Sequence, residues 1–240
     1  MINTLTKNYN TLLLNLYSIS FISRIFTYIK FYLYNMLVSK YTSILYKKFL
    51  KKIPENSIVL DIGIGNAYAL IQNSDILVNK NIKIIGLDID VTSINIAKKI
   101  IKEKNLDDFI TVECVNIYDY KKEDKFDYIY FSNSYSVIPG IHEMMEYVCD
   151  NLLSDNGAII VSTTLDNRTN YFKEVIKPKM KKILFDIDFG EHIVLENFIN
   201  NMTKNNLIIE NIENVYQAWI PVWGNVDIFT CFLKRNKLKQ

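Results

Sequence analysis

Two acids and two glycines in this chain have the types and spacing to hold a cationic ligand. In the run Val59-Leu60-Asp61-Ile62-Gly63-Ile64-Gly65-Asn66-Ala67, an apolar stretch ends in a carboxylate and then in the glycine pair. Glycines between a strand and a helix let the main chain turn sharply and let a ligand approach without meeting a Cβ. The amides that open the following helix, from Asn66 onward, face the same place and favour a hydrogen-bond acceptor. Such a turn suits a nucleotide-type cofactor. A dinucleotide fingerprint would need glycine at position 68, where this chain has Tyr68. Asp61, two residues before Gly63, would repel a pyrophosphate and would welcome an ammonium or a sulfonium.

The elements that position these groups follow from periodicity. Ser57 to Ile62 reads as a buried strand, Ala67 to Asn79 as a helix, and Lys83 to Ile89 as a second strand ending in Leu87-Asp88-Ile89-Asp90. Val91 to Lys104 carries Ile94, Ala97, Ile100 and Ile101 on one helical face. Strands are expected at Ile110 to Val115, Tyr128 to Ser132 and Ala158 to Thr163, with a helix from Ile141 to Leu153 that stops at Asn156-Gly157. After Gly190 a helix runs through Asn205. Leu207 to Val215 and Val226 to Lys234 then flank a loop with Trp219, Pro221 and Trp223; no helix separates them, so they should pair antiparallel. The βαβ rhythm predicts an α/β fold, a mostly parallel sheet of seven strands with helices on both faces. Ligands of such sheets lie at the carboxyl ends of the strands.

The acid-x-Gly-x-Gly run after the first strand resembles the first motif of the class I S-adenosylmethionine-dependent methyltransferases. Asp61, Gly63 and Gly65 match it, and Ala67 stands where a third glycine is common. The resemblance covers residues 54 to 235 and implies a Rossmann-like fold, S-adenosyl-L-methionine as cofactor and methyl transfer. It also implies roles. Asp88 would bind the ribose hydroxyls, with Ile89 beside it, and Asp90 is better placed to cap the next helix. Asn116 would accept from the adenine amino group where relatives carry an acid, and Ile117 would lie on the adenine face. Phe126 to Asn133 resembles the fourth motif, in which Ser132 and Asn133 border the methionine part and Asp127 is structural. Asn66 joins the cofactor set through the glycine turn.

Methyl transfer from a sulfonium needs alignment and exclusion of water more than acid–base chemistry. Relatives often carry histidines just past the fourth strand, where this chain has Ser136 and Val137. An amine or thiol acceptor needs a base less than an alcohol does, so N- or S-methylation of a small molecule is favoured. Tyr135 and His192 are the candidates to touch an acceptor. Tyr135 reads equally well as a packing residue, and His142 as a surface residue. Asp166 to Glu191 carries Arg168, Lys173, Lys177, Lys179, Lys181 and Lys182, a solvated face or a seat for an anionic acceptor. Asn133-Ser134-Tyr135-Ser136 lacks the two prolines of base-modifying relatives, and a net charge of +2 gives no case for nucleic acid. Methylation of a protein or lipid head group, and a cofactor-binding scaffold without turnover, are the alternatives.

Residues 1–52 read as an N-terminal helical cap on a methyltransferase domain of residues 53–240. Ser20, Ser23, Arg24, Thr27 and Lys30 recur at helical spacing opposite Phe21, Ile22, Ile25, Phe26, Ile29, Leu33 and Leu37. Arg24 and Lys30 interrupt this run short of the roughly 20 apolar residues a membrane span needs, and it lacks the marks of a cleaved signal peptide. Peripheral membrane contact through residues 12–52, with Lys47, Lys48, Lys51 and Lys52, is the sharper alternative. Three separated cysteines, Cys114, Cys149 and Cys231, suggest a reducing, cytoplasmic setting, with Cys114 and Cys231 buried in strands; no Cys/His spacing suits a metal. The oligomeric state is not legible.

Overall fold

A computed structural model describes residues 40–166, 193–220 and 224–236. Contacts divide the chain into two units, Met1–Ser39 and Lys40–Gln240, and all described residues belong to the second. The amphipathic stretch between Leu12 and Leu37 lies outside the described residues. Helix α1 occupies residues 40–52. Its stripe Leu45, Tyr46, Phe49 and Leu50, continued by Ile53, is buried, whereas Lys47, Lys48, Lys51 and Lys52 are exposed. The boundary expected at residue 52 thus falls inside one compact unit, because α1 packs into its core.

The remaining elements are β1 (Ile58–Ile62), α2 (Tyr68–Ile71), α3 (Ser74–Asn79), β2 (Lys83–Asp88), α4 (Val91–Glu103), β3 (Ile110–Cys114), a 3-10 turn (Ile117–Asp119), β4 (Phe126–Ser132), α5 (Ile141–Tyr147), β5 (Leu153–Thr164), α6 (Leu195–Lys204), β6 (Leu207–Ile220) and β7 (Gly224–Arg235). The strands form one sheet of order β3-β2-β1-β4-β5-β7-β6. All neighbours are parallel except those of β7, which runs against both β5 and β6. The expected seven-stranded, mostly parallel sheet with one antiparallel strand is therefore present. The order steps outward from β1 in both directions, so the crevice between the ends of β1 and β4 is the switch point.

Each sheet face has its own core. Tyr46, Phe49 and Leu50 of α1 join Leu70, Leu77, Ile94, Ala97 and Tyr130 on one side. Tyr135, Met144, Met145, Phe198 and Met202 cover the other. Full burial of such side chains contributes about 1.5–3 kcal/mol each.

Three boundaries differ from those read in the sequence. The expected helix Ala67 to Asn79 is broken into α2 and α3 at Asn73. The buried Asn73 amide donates to the Ser43 and Ala69 carbonyl oxygens and to Ser43 Oγ (3.0–3.1 Å), a bridge between α1 and α2 that a continuous helix would not place there. The helix from Ile141 passes into a π-helical turn at Val148–Leu152, and β5 starts at once. Asn156-Gly157 is therefore not a helix stop but part of an irregularity where the register slips between Phe126↔Leu153 and Tyr128↔Ala158. The last hairpin is longer than expected, and Trp219, pairing with Asn225, belongs to β6 rather than to a loop.

Candidate functional site

Strand β1 delivers Asp61 between β2 and β4, where it pairs in register with Gly86 and Tyr130. Two residues later the chain turns over the end of β2. The amides of Gly63 and Ile64 both donate to the Leu87 carbonyl oxygen (2.8 and 3.1 Å), which pins the turn to the sheet. Gly63, at φ +79°, lies under Ser134, and a Cβ there would come within 2.4 Å of Ser134 Cβ. Ser134 Oγ in turn donates to the Ile62 carbonyl oxygen. Gly86 matters in the same way: a Cβ on it would meet Ile64 Cδ1 at 2.4 Å, so the bare strand backbone seats the turn's isoleucine. Gly65 differs, because at φ +60° its missing side chain would meet nothing within 4 Å. The turn is packed on one side and open on the other.

The two acids are held differently. Asp88 Oδ2 accepts from the Gly65 amide (2.8 Å) and Oδ1 from the Asp90 amide (2.9 Å), so the carboxylate ties the turn to the end of β2. Two of its lone-pair sites are used, and the half-buried group keeps capacity for further donors. Asp90 caps α4, accepting from Thr92 and Ser93, and these bonds hold its carboxyl below the usual range. Asp61 is fully buried. Its Oδ2 accepts from Tyr46 Oη at 2.7 Å, and its Oδ1 has no partner. Burial pushes its pKa up to about 7; the Tyr46 hydrogen bond pulls the other way, and the negative charge of Asp88 adds to the rise. At the neighbouring end of β4, Asn133 Nδ2 is also buried without a partner, and Ser132 Oγ beside it has the Tyr46 and Tyr130 hydroxyls for neighbours. Asn133 holds a positive φ of 59° with its amide on the Ser162 carbonyl oxygen (2.8 Å). Unmet polar atoms buried together are costly in a folded chain. Here they mark the crevice.

The other expected site residues are placed less uniformly. Ile89 is 75% exposed directly after Asp88, an open apolar surface at the end of β2. Asn66 spends its side-chain oxygen on the Tyr68 amide (3.1 Å), and Asn116 spends its own on the Tyr118 amide (3.2 Å), capping the 3-10 turn. Asn116 is exposed beside β3 and keeps its amide nitrogen. Ile117, expected on an adenine face, is instead 5% exposed within the core cluster.

Tyr135, read equally as a catalytic candidate and as a packing residue, lies in the core. It is 1% exposed, sits edge-on to Phe131 and Phe198, and its Oη accepts from Asn201 Nδ2 of α6 (2.8 Å). Burial raises its pKa far above the ordinary tyrosine value. The aromatic neighbours after β4 hold the ring in the core. His142 is a surface residue whose Nδ1 lies 2.9 Å from Asn205 Nδ2. His192 and most of the Asp166 to Glu191 segment lie outside the described residues. Cys114, expected buried, is exposed at the sheet edge, whereas Cys149 and Cys231 are buried, with pKa values pushed up to about 11 and 12. Among the described residues no cluster suits a metal ion, and no helix is long and apolar enough to cross a membrane.

Tyr46 and Ser134 were not singled out from the sequence. Tyr46 lies on the i, i+3, i+4, i+7 stripe with Phe49, Leu50 and Ile53, which signals burial but not the hydroxyl's partner. A cavity of about 270 Å³ lies between α1 and the last hairpin, lined by Lys48, Lys51, Lys52, Glu213, Thr230 and Phe232. Lys52 Nζ stands 3.0 Å from Glu213 and 3.5 Å from the centre of the Phe232 ring.

Comparison with known proteins places this arrangement. Residues 53–219 match a family model described as a methyltransferase domain. No curated protein matches the chain. Among solved structures, geranyl diphosphate C-methyltransferase from Streptomyces coelicolor A3(2), bound to S-adenosyl-L-homocysteine, aligns with a TM-score of 0.63 and 12% identity over 82% of this chain and 79% of that one. A putative sarcosine dimethylglycine methyltransferase from Galdieria sulphuraria aligns at 0.60 and 12%, over 79% and 82%. The [4+2]-cyclase SpnF aligns equally well at 0.60 and 12%, over 76% of each chain. At such identities the likeness to these structures shows the fold alone.

Proposed function

The chain belongs to the methyltransferase-domain family of class I S-adenosylmethionine-dependent enzymes, and on that premise we propose that it methylates a small molecule, at nitrogen or sulfur rather than oxygen. The observation that carries the site is the orphaned Oδ1 of buried Asp61 beside a glycine turn whose Gly65 side is open. A buried carboxylate oxygen with no donor fits the ammonium of the cofactor's methionine part, and a second carboxylate nearby favours a cation over a pyrophosphate. Asp88 has acceptor capacity left for ribose hydroxyls, and exposed Ile89 offers an apolar surface for adenine. Asn116 and the Ser132–Asn133 step complete the set, while Ile117 would act only from behind, through packing.

The bound cofactor supplies an activated methyl group on a sulfonium. What the protein adds is orientation and exclusion of water. Among the described residues, Tyr135 is occupied in the core and His142 is on the surface, so neither is poised as a base for an alcohol; His192 lies outside them. This favours an acceptor with a free lone pair. An acceptor bearing an anionic group is the second reading, favoured by the lysine-lined cavity along α1. Calorimetry with S-adenosylmethionine and S-adenosylhomocysteine, followed by transfer of labelled methyl to amine, thiol and alcohol panels, tests the reading. Asp88→Ala should weaken binding by about 1–3 kcal/mol, the scale for hydrogen bonds to a charged group. Unchanged affinity in the folded variant would remove Asp88 from the site, and transfer only to alcohols would overturn the acceptor assignment.

A further inference from the structure

Tyr46 lies on α1, 15 positions before the acid it touches. Its ring is fixed edge-on against Tyr130 at 5.3 Å, and Tyr130 is itself stacked on Phe49 at 4.0 Å and 5°. From this rigid aromatic stack the hydroxyl donates to Asp61 Oδ2, and among the described residues no other donor reaches that carboxylate. One oxygen is thus anchored and the other is left buried without a donor.

We propose that Tyr46 is a positioning residue of the cofactor site: its hydroxyl fixes the Asp61 carboxylate so that Oδ1 meets the cofactor's ammonium, and keeps that carboxylate ionisable. The proposal rests on the cofactor reading above. Three groups face Asp61 from the elements packed on it: Tyr46 from α1, Asp88 from β2 and Tyr130 from β4. Burial and Asp88 resist its ionisation, Tyr130 sits too far above neutrality to change charge, and Tyr46 alone favours the charged form by hydrogen bonding. The ligand's ammonium would add a second favourable partner. Asp61 should therefore lose its proton when the cofactor binds, and affinity should rise as pH increases through about 7.

The test is calorimetric titration of the full chain with S-adenosylhomocysteine across pH, which reads a midpoint as well as an affinity. Wild type should bind more tightly above the midpoint than below it. In Tyr46→Phe the midpoint should move upward and affinity at neutral pH should fall about tenfold, recovering in part on the alkaline side, because the carboxylate has become harder to ionise there while its lost anchor is not restored by pH. Tyr46→Phe in an Asp61→Asn background should change nothing further. Should Tyr46→Phe fold poorly, 3-fluorotyrosine at position 46 keeps the volume and is a stronger donor, so its midpoint should move downward. An unmoved midpoint in either variant, with binding intact, overturns the role of Tyr46 alone. Failure of wild type to bind S-adenosylhomocysteine at any pH overturns the cofactor reading beneath it.

Discussion

Asp61 at the end of β1 and Tyr135 in the loop after β4 both bury a polar group almost completely, yet they teach opposite lessons. Tyr135 has what a buried phenol needs, a donor on Asn201 and two aromatic neighbours, and its environment is closed. Asp61 has one donor for two oxygens, a second carboxylate nearby, and a pKa lifted to about 7. Burial alone does not separate scaffolding from chemistry. The remaining hydrogen-bond deficit is the better pointer, because an uncompensated buried acid is costly and a bound cation would compensate it.

The largest expected effect breaks the contrast at Asp61. Asp61→Asn keeps the shape and removes the charge, so binding of S-adenosylhomocysteine should weaken by about 1.5–3 kcal/mol, measured by calorimetry. The melting temperature should hold or rise, since an ill-solvated charge has gone. Loss of stability with unchanged affinity would put Asp61 in the scaffold instead.

A second measurement sharpens the contrast through pH. The folded-state pKa of Asp61 is raised from 3.8 to about 7, so between these values the native state keeps a proton that the unfolded chain releases. Its contribution to the stability of the ligand-free protein is full below about 3.8, is lost progressively as pH rises to about 7, and is constant above. Denaturant titrations of wild type against Asp61→Asn should isolate this slope. Parallel profiles for the two proteins would deny the raised pKa.

The smallest effect belongs to Tyr135. Tyr135→Phe should cost about 1 kcal/mol of stability by stranding the Asn201 amide, and should leave cofactor affinity and turnover as they were. A loss of turnover in a stable variant would restore Tyr135 to the site.

Much of the sheet was legible because a buried strand and an amphipathic helix write different periods into the chain, and the glycine turn because few residue types tolerate its backbone. The helix broken at Asn73 was hidden, since its cause is a side-chain bridge to Ser43 some thirty positions earlier. The early start of β5 was hidden for a similar reason: Asn156-Gly157 is a stop signal locally, and only pairing with β4 turns it into a bulge. Among the proposed site residues, Asp61, Gly63 and Gly65 were visible through their spacing, and Asp88 through the family resemblance at the end of the second strand. Tyr46 was not, because an apolar stripe does not say which of its members carries a hydroxyl towards a distant acid. Ile117 falls in the core, and Tyr135 takes the packing side of the two readings open for it, because position after a strand does not reveal on which side of the loop a side chain falls.

The bare backbone at Gly86 has a consequence for how this protein can vary. Position 86 lies in the interior of a strand and would touch no ligand, yet the shape of the loop above it depends on an isoleucine resting in that gap. A change at either residue has to be matched at the other, so the pair forms a unit of inheritance: a loop transplanted from a relative without its underlying strand would arrive with the right sequence and the wrong curvature.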